Sequence, residues 1–125
     1  MIKIDKQSRV PIYEQLIEQV EQLVLSSILE ADMLIPSVRS LSLELSVNPN
    51  TIQKAYNELE LRGITYSVPG VGRFVSKNAI EILKKDKLQS FEKLRATVED
   101  LKLSGVALET VIDKIKEYYG GNDND

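Results

Sequence analysis

The chain has 125 residues and a formal net charge of −3, with 42% hydrophobic and 28% charged residues. That length suits one compact domain of modest core, or a small domain with an appendage, and the composition is that of an ordinary globular protein. Cysteine and histidine are both absent, which removes disulfide frameworks, most metal sites and most nucleophile–base pairs. An enzyme is therefore not expected, and neither is a metal or another cofactor. No apolar run approaches the roughly 18 residues of a membrane span. Met1-Ile2-Lys3-Ile4-Asp5 lacks the apolar core of a signal peptide. A cytoplasmic protein with no membrane partner is the simplest reading.

Helical periodicity begins after Pro11, where Tyr13, Leu16, Ile17, Val20, Leu23, Val24 and Ile28 form one apolar stripe. Gln15, Glu18, Glu21 and Gln22 fall largely on the other side, so the spacing predicts a helix from about Pro11 to about Leu29. A short irregular link leads to Leu34-Ile35-Pro36-Ser37. Ser37 can cap a second helix whose core face is Val38, Leu41 and Leu45. Ser46-Val47-Asn48-Pro49 leaves room only for a tight turn, with Asn48 a cap and Pro49 at the first helical position. The third helix carries Ile52, Ala55, Tyr56 and Leu59 at three- and four-residue spacing and stops at Gly63.

The period then changes to two. Ile64, Tyr66 and Val68 alternate with Thr65 and Ser67, which predicts a strand with one buried face. Pro69-Gly70-Val71-Gly72 marks a turn, and Arg73-Phe74-Val75-Ser76 reads as the returning strand. Two helices, a tight turn, a helix and a β-hairpin follow one another in the order of a winged helix-turn-helix. From Asn78 a further helix is expected to about Leu103, with Phe91, Leu94, Val98 and Leu101 in a 4-3 repeat. Ser104-Gly105 interrupts it, and a last helix, about Val106 to Tyr119, aligns Leu108, Val111, Ile112, Ile115 and Tyr119. Gly120 onward reads as a disordered tail. The expected fold is mostly α with a small β-hairpin: a winged helix-turn-helix at 1–77 and a two-helix dimerisation region at 78–125.

Four strings in this order resemble the DNA-binding domain of the GntR family of bacterial regulators. They are Pro11-Ile12-Tyr13-Glu14-Gln15-Leu16, Ile35-Pro36-Ser37-Val38-Arg39-Ser40-Leu41, Val47 through Tyr56, and Leu59-Glu60 with Arg62-Gly63-Ile64 leading to Pro69 through Val75. The Asn48-Pro49-Asn50-Thr51 variant, with a short segment after the wing, is similar to the family's short-tailed YtrA-type subfamily. Departures accompany the likeness. Asp32 stands where the family usually has a glycine, Ser42 replaces a common alanine, and Pro49 occupies the place of a DNA-contacting arginine. Ala107 sits where a serine or threonine cap would suit the last helix.

The resemblance implies a set of DNA contacts. Arg39 would reach a phosphate or a guanine edge. Asn48, Asn50, Thr51 and Gln53 crowd the first turn of the recognition helix, the part that faces the major groove. Asn48 and Thr51 would also serve simply as caps, whereas Asn50 and Gln53 read as contacts. Lys54 suits the DNA backbone better than a base, and Ser37 at the head of its helix joins the set. In the wing, Gly70 and Gly72 would let the tip approach the minor groove, with Arg73 near the backbone. A dinucleotide fingerprint at these glycines fails, because position 75 is valine and a strand follows. Tyr56 and Phe74 read as core.

Charge is permissive of this partner and no more. Between Met33 and Lys77 five bases face three acids, leaving +2, while the remainder stands at −5. The apolar tail stripe, Phe91, Leu94, Val98, Leu101, Leu108, Val111, Ile112 and Ile115, would either fold back or pair two copies. Pairing is preferred, since so small a domain has little surface to cover two helices. A two-fold dimer would match a palindromic double-stranded operator with half-sites about 10 bp apart or a multiple of that. The expectation is a repressor, with control of transporter genes implied by the family alone. A small-molecule effector would need a pocket near the dimer seam or the hinge. The competing expectation is a winged-helix protein–protein module with no DNA target.

Overall fold

The structure, a computed structural model, describes residues 1–121. It contains α1 (Ile12–Leu25), α2 (Val38–Leu45), α3 (Pro49–Leu61), β1 (Thr65–Val68), β2 (Gly72–Val75), α4 (Ala79–Leu88), α5 (Ser90–Leu103) and α6 (Leu108–Tyr118). The chain divides into two compact units, the first ending at Lys85 and the second beginning at Asp86. Of the expected disordered tail, Asn122 through Asp125 lie outside the described residues.

In the first unit the expected stripes become the core. Leu16, Val20 and Val24 of α1 pack with Leu41 of α2 and with Ile52, Ala55, Tyr56 and Leu59 of α3, all essentially inaccessible. Truncating a leucine in such a site costs about 2–5 kcal/mol, so these positions determine whether the unit folds. Ser37 caps α2, its hydroxyl accepting from the Ser40 amide at 3.0 Å, and Asn48 caps α3, its Oδ1 accepting from the Asn50 amide at 2.8 Å. Gly63 ends the third helix with φ +82, and a Cβ there would meet Ile82 at 3.3 Å.

Several local expectations are corrected. The first helix stops at Leu25, not Leu29, because Ser27 turns left-handed (φ 60) and the amides of Ile28 and Leu29 both donate to the Leu23 carbonyl. This reversal exposes Ile28 and buries Leu29. Glu21 lies inside rather than on the outer face, its carboxylate 2.8 Å from Arg62. The link after α1 is not irregular throughout. The Asp32 amide donates to Val75 O at 2.7 Å, Val75 N to Met33 O at 2.9 Å and Ile35 N to Arg73 O at 2.9 Å, so this segment lines the free edge of β2. Asp32 takes φ 63, the conformation a glycine would supply and one that aspartate tolerates. Ser42 steadies the tight turn, its hydroxyl donating to Val47 O at 2.7 Å.

The buried face of the hairpin is the one that carries Thr65. Thr65 pairs with Val75, Tyr66 with Phe74, Ser67 with Arg73 and Val68 with Gly72. Thr65 and Val75 go inward, whereas Tyr66 and Val68 stay more than a third exposed. Phe74 is half-buried rather than core, stacked on Tyr66 with ring centroids 5.5 Å apart. An aromatic cross-strand pair stabilises the outer face of a hairpin by itself, so the apolar set need not point inward. Ile64 is buried because it precedes the strand, where the chain leaves α3.

One expected helix over 78–103 is two, α4 and α5, with Gln89 between them. Ala79 and Leu83 of α4 complete the core of the first unit. In the second unit, Gly105 (φ +82) turns the chain between α5 and α6, and α6 starts at Ala107 with no side-chain cap. Val98, Leu101, Val106 and Val111 are half-buried there.

Candidate nucleic-acid interface

The N-terminal turn of α3 is polar because its apolar residues begin only at Ile52, whose side chain is directed into the core. Asn48 and Asn50 are exposed, and Thr51 and Gln53 half-exposed, on the outward side of that turn. Arg39, second residue of α2, is also exposed and makes no ion pair or hydrogen bond among the described residues. Ser37 and Asn48 both spend an oxygen on capping, so their side chains are held at the helix starts and retain limited capacity for other partners.

Lys54 is placed by the ring of Tyr13, with its Nζ 4.2 Å from the ring centre. A cation over an aromatic face is attracted by the ring quadrupole, and the ring thereby restricts the lysine's long stem. Lys54 and Tyr13 face a cleft of about 660 Å³ that also receives Asn48, Asn50 and Thr51. Lys6 enters the same cleft, a residue the sequence reading overlooked. Its Nζ donates to Ser46 O at 3.0 Å, tying the N-terminal segment to the turn between α2 and α3. That segment is anchored by Ile2, which is buried in the core, and by Gln15, whose side chain bonds the backbone of Asp5 and Val10. The alternation of Ile2 and Ile4 with Lys3 and Asp5 was the available signal.

Arg73 does not stand free in the wing. Its guanidinium lies 3.0 Å from Asn57 Oδ1, 3.5 Å from Glu60 Oε1 and 5.7 Å from the centre of the Tyr56 ring. Ser67, directly across the hairpin, donates to the same Glu60. Asn57, also unforeseen, further accepts from Gln53 Nε2 at 2.8 Å. Gly70 is at the exposed tip. Gly72 has a structural role of its own: its φ of +145 strains any residue with a side chain, and a Cβ there would also displace the end of the exposed Leu34 side chain, 2.8 Å away.

Tyr56 anchors the base of this arrangement, donating to Pro36 O at 2.8 Å. Burial pushes its phenol up to about 12, with Arg73 opposing the shift, so it stays neutral and hydrogen-bonded near neutral pH. Among the described residues no cluster of acidic side chains has the makings of a metal site, and no helix is long and apolar enough to cross a membrane.

Residues 12–75 match the family model described as bacterial regulatory proteins, gntR family. The chain belongs to the GntR family. It is 41% identical to the HTH-type transcriptional repressor YtrA of Bacillus subtilis, over the whole length of both chains. Among solved structures, a GntR family transcriptional regulator from Listeria monocytogenes aligns with a TM-score of 0.73 and 31% identity, covering 91% of this chain and 98% of that one. The AraR DNA-binding domain in complex with operator ORX1 aligns with a TM-score of 0.53 and 30% identity, over 59% of this chain and 92% of that one. The GntR chain is thus a transcriptional regulator with a winged-helix DNA-binding domain.

Proposed function

We propose that this regulator is a cytoplasmic repressor that binds a palindromic operator as a homodimer, with the first turn of α3 in the major groove. One observation carries the reading. The exposed turn holding Asn50, Thr51 and Gln53 stands on a helix whose opposite face is wholly buried, and Arg39 nearby has no acidic partner. Such a turn presents donors and acceptors to base edges together with a helix N-terminus that favours phosphate. Lys54 and Lys6, held near the cleft, serve as backbone contacts. Gly70 brings the wing tip to the minor groove. The similarity to a repressor along the full chain, and the operator complex of AraR, support the same assignment.

Dimerisation is assigned to the second unit. Phe91, Leu94, Leu108, Ile112 and Ile115 are exposed there by 39% or more, while Val98, Leu101 and Val111 are half-buried. A two-helix hairpin of this size has too little core to stand alone, so a second copy supplies the missing cover. An effector, if the protein has one, would use the groove of about 270 Å³ lined by Val98, Lys102 and Val111. Control of transporter genes rests on family likeness alone.

A gel-shift with DNA from the protein's own promoter region tests the reading. A shifted band at low salt, competed by the same DNA and not by unrelated DNA, is expected. No shift at low salt, where counterion release most favours binding, would overturn the DNA role and leave a protein–protein module.

A further inference from the structure

Gln53 and Arg73 meet on a single atom. Asn57 Oδ1 accepts from Gln53 Nε2 at 2.8 Å and from Arg73 Nη2 at 3.0 Å. A guanidinium carries donors and no acceptor, so the end of Asn57 that faces Arg73 must be its oxygen. Gln53 meets that same oxygen and must therefore approach with its NH2 group. Its Oε1 has no hydrogen-bond partner among the described residues. Without Arg73 the two amides could turn over together, Asn57 donating and Gln53 accepting, at no loss of hydrogen bonds. Arg73 forbids the turned-over pair because an NH2 would then face a guanidinium. Arg73 itself is held by Glu60 at 3.5 Å and by the Tyr56 ring, with its side chain only 18% exposed.

We propose that Arg73 is a positioning residue for base recognition: acting through Asn57, it sets the amide orientation of Gln53 and thereby the base that Gln53 prefers. The inference rests on the reading that Gln53 faces base edges. In the enforced orientation Gln53 offers one acceptor and one remaining N–H, which matches adenine N6 and N7. The turned-over amide offers two donors and matches guanine O6 and N7. Arg73 thus selects adenine over guanine at one base pair, without touching DNA itself.

The test uses the full chain and an operator selected by it from random DNA, with all four bases placed in turn at each position and affinities read by fluorescence anisotropy. Gln53→Ala identifies the position that Gln53 reads. At that position Arg73→Met should reduce the adenine preference about tenfold, the scale of one bidentate contact, and leave preferences elsewhere unchanged. Arg73→Lys keeps a donor toward Asn57 and should retain the preference. The double variant Arg73→Met with Asn57→Asp restores an acceptor-only anchor and should recover it, although the added charge lowers affinity for every sequence. Asn57→Leu, at an exposed position, should match Arg73→Met and carries the test if the wing fails to fold without its arginine.

A uniform fall in affinity for all sequences, with the salt slope smaller by about two, one for each protomer, would make Arg73 a phosphate contact and overturn the proposal. Unchanged preference in both Arg73→Met and Asn57→Leu would do the same. If Gln53→Ala alters no preference at any position, it is the base-reading role of Gln53 that falls, and the inference with it.

Discussion

Replacing Arg39 with alanine separates recognition from folding more cleanly than any other change at the interface. Arg39 is exposed at the second position of α2 and makes no ion pair or hydrogen bond among the described residues. Its removal leaves no buried partner unsatisfied, and alanine favours a helix, so stability should stay within about 0.5 kcal/mol. The effect should appear in DNA binding alone. A bidentate arginine–guanine contact is worth about 1–3 kcal/mol. A two-fold dimer presents the side chain twice, and distant half-sites add, giving roughly 2–6 kcal/mol per operator. The lower bound is already a loss of about thirtyfold. Fluorescence anisotropy on the selected operator and on a shuffled duplex, at two salt concentrations, measures it. Loss confined to the operator marks a base contact; equal loss on both duplexes with a shallower salt slope marks phosphate contacts. Unchanged affinity on both would refute the placement of α2 against DNA.

Three further outcomes follow from the geometry. Gly72→Ala puts a side chain on a backbone at φ +145, so urea unfolding should show a loss of about 1–3 kcal/mol; a loss below the fitting error would contradict a strained backbone in the wing. Tyr56→Phe should lose about 1 kcal/mol with the hydrogen bond to Pro36 O. Because the folded-state pKa of Tyr56 is raised from 10.0 to about 12, its contribution is complete below pH 10.0 and fades as pH rises through 12. That adds up to about 2–3 kcal/mol of alkaline destabilisation. The phenylalanine variant should lack this slope when unfolding midpoints at neutral and alkaline pH are compared, and an identical slope would assign the titration elsewhere. Ile112→Asp places a charge on the exposed face of α6 and should give monomers in sedimentation while far-ultraviolet dichroism stays native; persisting dimers would locate the interface elsewhere.

Much of the fold was legible because its signals are local. Ile52, Ala55, Tyr56 and Leu59 declare a helix face by spacing alone, and Ser37, Asn48 and Pro49 mark helix starts by backbone chemistry within two or three residues. The polar turn of α3 was legible for the same reason. Which face of the wing turns inward was not legible, because period two reveals a strand but not which side meets the core. Glu21 was placed outside because nothing near it announces Arg62, far along the chain. Lys6 was overlooked because its position depends on Ile2 packing into the core and on the Ser46 carbonyl, neither adjacent in sequence.

The sequence alone therefore determined the order of elements through the hairpin, the caps of α2 and α3, and the core faces of α1 to α3. These depend on interactions spanning at most one or two helical turns. Only the tertiary structure decided that Arg73 turns inward to Asn57 and Glu60, that Tyr13 carries Lys54, and that Gly72 makes room for Leu34. Each of these unites residues from separate elements, and a side chain with several available partners is committed only when the fold brings one of them within hydrogen-bond or contact distance.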